Sequence, residues 1–242
     1  MPRIPLLDAL RGGALIAMIA YHLTWDLAYF GVVAPGTATT PLGQAVAATI
    51  AGTFLALAGV SFALAHADGL RWRPWTVRLL RLLLAALAVT AVTLWATPAQ
   101  PIQFGILHMI ALAAVLSLPF LRAPWLAAVL AAAAVLTVDV LTSGLAPNTV
   151  SIWLGLGGPA PPASDFRPLF PWLAPVLLGL ALGQWIIRSW GVQDALASVA
   201  LTDRICTALR WLGRHSLAVY LVHQPVLFGA LWAMLWLTQG GP

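Results

Sequence analysis

Seven runs of apolar residues, each long enough to cross a lipid bilayer as a helix, alternate with shorter polar stretches along this chain. A membrane-spanning helix needs roughly 20 apolar residues, because the hydrocarbon core is about 30 Å thick and each helical residue adds about 1.5 Å. The breaks between the runs are rich in Pro, Gly and Arg, which typically mark turns or membrane surfaces. We therefore predict seven transmembrane helices, at Leu7–Phe30, Leu42–Ala65, Leu79–Thr97, Ile102–Phe120, Trp125–Leu145, Leu169–Trp185 and Ser216–Leu237.

The polar stretch before the last predicted span contains one more candidate helix. Thr202 and Asp203 are residue types that cap helix N-termini, and the apolar Ile205, Leu209 and Leu212 follow at helical spacing. Arginines surround these apolar positions. The pattern predicts an amphipathic helix at the cytoplasmic membrane surface.

Composition agrees with a membrane protein. The 242 residues are 61% hydrophobic and 8% charged, with a mean hydropathy of +0.93. The fold class that we predict is therefore all-α, a polytopic transmembrane bundle forming a single domain over residues 1–242. Because the basic residues lie at the ends of apolar runs, they indicate contact with membrane lipids and not with nucleic acid.

The distribution of arginines predicts the orientation in the membrane. If the N-terminus is cytoplasmic, eleven arginines fall at cytoplasmic ends of the seven spans and only Arg167 falls outside. Cytoplasmic loops carry an excess of basic residues. We predict a cytoplasmic N-terminus and a C-terminus on the other side.

The residue types that are missing limit the chemistry. All basic residues are Arg and all acids are Asp, so that lysine nucleophiles are excluded and any catalytic carboxylate is an Asp. Cys206 is the only cysteine, which excludes an internal disulfide and a cysteine metal cluster. We expect no metal.

Ionisable residues form one stripe on the first predicted span. With Arg11 set at 0° and about 100° per residue, His22 falls near 20° and both Asp8 and Asp26 near 60°. A charge near the bilayer centre costs about 2.5–3.5 kcal/mol on insertion scales, so intramembrane ionisable residues indicate a functional site. His22 and Asp26 are four residues apart, a spacing that lets the carboxylate orient the ring of a general base. The alternative is that these groups only bridge helices.

Four further residues are candidates, and three of them have a simpler alternative. His108 joins the catalytic candidates His22 and Asp26, or makes an interhelical hydrogen bond. His223 lies in the last span beside Pro225, which removes a backbone donor, and is grouped with the donor-binding candidates. Arg78 and Arg81 either bind donor phosphates or only set topology and contact anionic lipid.

Several blocks of residues carry a resemblance that covers nearly the whole chain. They are Leu7–Gly12, Met18 with Tyr21–His22 and Trp25–Asp26, Phe54–Ser61, Gly105–His108, Asp165–Trp172 and Ser216–Pro225. In these blocks the chain resembles bacterial members of the heparan-α-glucosaminide N-acetyltransferase catalytic-domain family, which implies location in a bacterial inner membrane. Arg11 and, after ten residues, His22 are also similar to the pattern of the broader acyltransferase-3-like membrane enzymes.

The resemblance implies acyl transfer across the membrane. Acetyl-CoA would enter from the cytoplasm as the donor, and its acetyl group would pass to an extracytoplasmic sugar-like acceptor. Arg11 would contact the CoA end, His22 would act as general base or transient acyl carrier, and Asp26 would orient it. A homodimer is one assembly compatible with this activity.

Two other classes of function remain open from the sequence. In a proton-coupled transporter or permease, Arg11, His22, Asp26 and Asp139 would line a polar path. In a haem-binding electron carrier, histidines such as His108 and His223 would be the ligands.

Overall fold

All regular structure in the described residues is helical. The computed structural model describes residues 4–145, 148–157, 165–189 and 191–239, and this part of the chain confirms the predicted all-α fold class. Short 3-10 turns lie at Thr37–Thr39 and Pro119–Leu121. The α-helices are α1 (Pro5–Tyr29), α2 (Pro41–Ala65), α3 (Trp72–Ala96), α4 (Ile106–Leu116), α5 (Trp125–Thr142), α6 (Thr149–Leu154), α7 (Leu169–Arg188), α8 (Val192–Ser198), α9 (Arg204–Arg214) and α10 (Ser216–Gln239).

Six helices in the described ranges are long and apolar enough to cross a membrane. They are α1, α2, α3, α5, α7 and α10, and each corresponds to one predicted span. The chain is therefore a multi-pass helical membrane protein, as predicted. The cytoplasmic location of the N-terminus stays a prediction, and Arg3, one of the arginines on which it rests, lies outside the described residues.

The helix boundaries differ from the prediction in the third predicted span, where α3 begins at Trp72 and not at Leu79, and in the fourth, Ile102–Phe120. Helix α4 has only 11 residues, which gives about 16 Å against a hydrocarbon core of about 30 Å. Gly105 is extended and forms the N-cap, so residues 102–105 stay outside the helix. Pro119 has no N–H to donate, and the chain continues there as a 3-10 turn. The hydropathy of the sequence indicated the length of this apolar segment but not the positions at which its helix begins and ends.

Contacts divide the chain into two compact units. The central unit consists of residues 55–193, and the terminal unit of residues 2–54 and 194–242. The prediction of a single domain stays a prediction.

In the central unit, residues 106–120, which contain α4, lie alongside α7 although only residues 106–116 form an α-helix. At one end, the Ile106 amide donates a hydrogen bond of 2.9 Å to Asp165, shortly before α7 begins. At the other end, Gln184 near the end of α7 donates one of 2.6 Å to the carbonyl of Phe120. Residues 106–120 therefore extend along most of a membrane-spanning helix.

In the terminal unit, α1 packs against both α9 and α10. The amphipathic helix predicted after Thr202 is confirmed as α9, whose N-cap Asp203 accepts a hydrogen bond of 2.9 Å from the Cys206 amide. Glycines bring the backbones of α1 and α9 together, because a methyl group at Gly12 would overlap the Leu209 carbonyl and one at Gly213 the Asp8 carbonyl. This crossing fixes the N-terminal part of α1.

Helices α1 and α10 run in the same direction within this unit. The ring of His22 lies against that of His223, and further along the ring of Phe30 lies against that of Phe228. Residue numbers thus increase together in both helices. The polar residues of the two helices meet between these two aromatic contacts.

Candidate functional site

The polar stripe predicted on α1 lies in the terminal unit, where its two carboxylates are buried and Arg11 and His22 are half-buried. Asp8 and Asp26 are each only 4% exposed, as is Met18 between them. Buried charged side chains in an apolar helix need partners, since an unpaired buried charge is costly. The partners come from α9 and α10.

At the N-terminal end of the stripe, Asp8 pairs with two arginines. Its Oδ1 lies 3.3 Å from Nη1 of Arg11 on the same helix, and its Oδ2 lies 3.4 Å from Nε of Arg214 in α9. The carboxylate thereby links α1 to α9 and holds the Arg11 guanidinium beside Arg214. This places two cations and one anion at the end of α1 that we predict to be cytoplasmic.

Two histidines are in direct contact about 16 Å from Arg11 along α1. They are His22 of α1 and His223 of α10. The ring centroids of His22 and His223 are 4.9 Å apart, and the rings meet at 75°. Sequence analysis proposed both residues but did not predict that they touch. Their contact forms the centre of the candidate site.

Backbone hydrogen bonds fix the tautomer of each neutral ring. His22 Nδ1 lies 2.9 Å from the Met18 carbonyl, and His223 Nδ1 lies 2.6 Å from the Tyr220 carbonyl. A carbonyl oxygen only accepts, so in the neutral ring Nδ1 carries the proton and Nε2 keeps its lone pair. Among the described residues, the buried Nε2 of His223 has no hydrogen-bond partner. The pair therefore presents basic nitrogens on adjacent rings.

Asp26 is held by a residue that sequence analysis did not assign. Gln224 Nε2 donates a hydrogen bond of 2.6 Å to Asp26 Oδ1. Within the described ranges, Asp26 Oδ2 and Gln224 Oε1 are buried without a partner. The hydrogen bond that orients the His22 ring goes to the Met18 carbonyl and not to Asp26. The role of Asp26 in catalysis stays a prediction.

A signal for Gln224 was present in the sequence. An amide side chain inside an apolar span, next to His223 and Pro225, is a group that must find a partner within the membrane. What the sequence did not contain was the identity of that partner.

His108 lies in the central unit, and both of its ring nitrogens are engaged. The Gly105 amide donates to Nδ1 at 3.2 Å, so in the neutral ring Nε2 carries the proton and donates to Thr90 Oγ1 at 3.3 Å. These bonds cap α4 and connect it to α3. The structure thus contains the interhelical hydrogen bond that was the alternative to a catalytic role, and it leaves neither nitrogen available for a haem.

Arg78 and Arg81 are both exposed on α3 in the central unit. Arg78 lines a cavity of about 20 Å³ together with Trp75 and Ser117. Binding of donor phosphates by these two arginines stays a prediction.

The block that begins at Asp165 has a structural role in the central unit. Arg167 Nε lies 3.4 Å from Asp165 Oδ1, and the guanidinium carbon lies 4.7 Å from the ring centroid of Trp172. Asp165 also accepts the hydrogen bond from the start of α4. These contacts tie the loop before α7 to the loop before α4.

Within the described part of the chain, no three His, Cys or Asp side chains converge in a way that would hold a metal ion.

Comparison with known families gives one match. A family model described as heparan-alpha-glucosaminide N-acetyltransferase, catalytic, matches residues 3–225. The match includes α1 and the part of α10 that carries His223 and Gln224. Neither the curated proteins nor the solved structures contain a match to this chain.

Proposed function

Because the chain belongs to the heparan-alpha-glucosaminide N-acetyltransferase catalytic family, we propose that it transfers an acetyl group from cytosolic acetyl-CoA to an extracytoplasmic, carbohydrate-like acceptor. A family of membrane acetyltransferases supplies the reaction class. The direction of transfer, the acceptor and the bacterial inner membrane as its location belong to the proposal.

The observation that carries the proposal is the arrangement of α1. Arg11 lies at one end of the polar stripe, and His22 lies about 16 Å along the same helix, where its Nε2 keeps a lone pair in the neutral ring. This arrangement suits a donor that enters from one side of the membrane and an acceptor that enters from the other. A transfer across the bilayer needs its reacting group between the two surfaces.

The chemistry proceeds at the Nε2 atom of His22. In one form of the reaction, Nε2 takes the proton of the acceptor while the nucleophilic atom of the acceptor attacks the thioester carbon of acetyl-CoA. The C–S bond then breaks, and the CoA thiolate takes the proton from Nε2. In the other, Nε2 attacks the thioester first and carries the acetyl group. The hydrogen bond from Nδ1 to the Met18 carbonyl fixes the ring in both cases and stabilises positive charge on it.

Acetyl transfer by the purified protein in liposomes tests the proposal. We expect acetyl-CoA outside the liposomes to acetylate members of a panel of amino sugars and neutral sugars inside them, with CoA release and product both measured. His22→Ala should reduce the rate at least about 100-fold, the range typical of a lost general base, with acetyl-CoA binding retained.

A matched control is His215→Ala. The Nδ1 of His215 also bonds a carbonyl one turn earlier, that of Trp211 at 2.9 Å, but the side chain is exposed. This variant should transfer at the wild-type rate. A His22→Ala protein that binds acetyl-CoA and transfers as fast as the control would contradict the proposal.

A further inference from the structure

His223 is a buried base that the reaction at His22 does not yet use. It is 8% exposed, its Nδ1 proton is held by the Tyr220 carbonyl, and its Nε2 has no partner among the described residues. Buried polar nitrogens in folded proteins are usually hydrogen-bonded, and exceptions concentrate at functional sites. The ring with which it is in contact is that of His22.

One histidine cannot both carry the acetyl group and activate the acceptor. When His22 Nε2 bonds to the acetyl carbon, its lone pair is used, and the proton on Nδ1 stays there, donated to the Met18 carbonyl. The acceptor must still lose a proton as it attacks. A second lone pair beside the first is therefore required for a covalent route.

We propose that His223 is a second catalytic residue, the base that takes the proton of the acceptor while His22 carries the acetyl group. This inference rests on the proposed function and extends it to a covalent mechanism. It replaces the donor-binding role that sequence analysis assigned to His223.

The steps balance without any further reactant. His22 Nε2 attacks the acetyl carbon, the C–N bond forms, the C–S bond breaks, and CoA leaves as a thiolate. The acceptor then attacks the same carbon, and the C–N bond breaks and returns its electron pair to His22. The acceptor proton passes to His223 Nε2 and from there to bulk water, which balances the proton that the released CoA thiolate takes from water.

The position of His223 agrees with a role on the acceptor side. Its neighbour Gln224 holds Asp26, which lies one turn further from Arg11 than His22 does. Asp26 Oδ2 and Gln224 Oε1 are both buried acceptor atoms without partners in the described ranges. An acceptor molecule with N–H or O–H groups would satisfy them.

The variant His223→Asn tests the proposal. An Asn amide can still donate to the Tyr220 carbonyl, but it has no basic nitrogen. His215→Asn is the matched control, since His215 makes the same kind of bond at an exposed position. For wild type and both variants we would measure acetyl-CoA binding, the burst of CoA released without acceptor, and the steady rate of acetyl transfer.

We expect His223→Asn to keep acetyl-CoA binding and a stoichiometric CoA burst but to lose transfer at least about 100-fold. In His223→Ala, added imidazole should restore part of the rate by entering the space left by the ring. His215→Asn should match wild type in all three measurements.

Three results would overturn this inference. The first is transfer by His223→Asn within about threefold of wild type, the second is loss of acetyl-CoA binding or of the burst in that variant, and the third is a wild-type protein that transfers without any burst. A wild-type protein that binds acetyl-CoA but neither releases CoA nor transfers acetyl groups would instead refute the proposed function itself.

Discussion

Gln224 and Asp26, which are 198 residues apart in the chain, are joined by a hydrogen bond of 2.6 Å. The bond connects α10 to α1 one helical turn beyond the His22–His223 contact. It accounts for a buried carboxylate in an apolar helix, because the amide supplies a donor that lipid does not provide. The same bond holds α10 in the register that places His223 against His22.

Gln224→Leu should destabilise the protein by about 1–3 kcal/mol, the cost of leaving a buried acceptor unsatisfied. Unfolding of the purified variants in detergent measures this effect. Gln44→Leu is the control, because the Nε2 of Gln44 also donates a hydrogen bond, in this case to the Thr39 carbonyl, but at an exposed position. Equal stability of the two variants would contradict the importance of the bond.

A double-mutant cycle separates the Gln224–Asp26 pair from general effects of substitution. Asp26→Leu and Gln224→Leu should not be additive, because each removes the same hydrogen bond. We expect a coupling energy of at least about 1 kcal/mol. Strict additivity would indicate that the two side chains act independently.

The glycine contact between α1 and α9 predicts a second effect on stability. Gly12→Ala and Gly213→Ala would each place a methyl group on the facing backbone, and overpacking typically costs about 1–3 kcal/mol. Separation of the helices would also break the Asp8–Arg214 pair. Gly13→Ala is the matched control on the same helix, since nothing lies within 4 Å of its added methyl group.

The thermal unfolding temperature of these three variants checks the contact. Gly13→Ala should be as stable as wild type or more so, because Ala favours helix by about 1 kcal/mol. A Gly12→Ala protein as stable as Gly13→Ala would show that α9 does not need this close approach.

The common direction of α1 and α10 makes a prediction about topology. If both helices cross the membrane, the chain between them must cross an odd number of times. Helices α2, α3, α5 and α7 provide four crossings, so residues 102–120 must provide a fifth. The hydrogen bonds of this segment to Asp165 and Gln184 at opposite ends of α7 agree with that path.

Reporter fusions at the two ends of the chain measure whether the number of membrane crossings is odd or even. We expect reporters at the N-terminus and the C-terminus to lie on opposite sides of the membrane, with the N-terminus in the cytoplasm. Termini on the same side would contradict the crossing at residues 102–120.

The sequence predicted the elements better than their pairing. Apolar length located six spanning helices, and capping residues located α9, because both signals are local. The stripe on α1 was also local, since Arg11, His22 and Asp26 share one helix face. The boundaries of α4 were missed because the average over an apolar window does not register a single Gly105 or Pro119.

The residue pairs that complete the site could not be predicted from the sequence. Contact between His22 and His223 depends on the register of α10 against α1, which no local pattern encodes. The same is true of Asp8 and Arg214. His108 shows the opposite case, where a conspicuous histidine in an apolar segment uses both nitrogens to cap and anchor a helix.

The role of Arg11 in donor binding can be tested separately from its ion pair with Asp8. Arg11 and Arg214 share the carboxylate of Asp8, so loss of either arginine disturbs the same pair. Only loss of Arg11 should weaken donor binding if its guanidinium contacts the CoA phosphates. Arg214→Ala is therefore the matched control.

Calorimetric titration of acetyl-CoA into the purified protein in detergent tests the central claim most directly. We predict saturable binding by wild type and by Arg214→Ala, and binding at least about tenfold weaker, or 1.4 kcal/mol, in Arg11→Ala. A folded wild-type protein that does not bind acetyl-CoA would contradict the acetyltransferase account and favour a proton-coupled transporter.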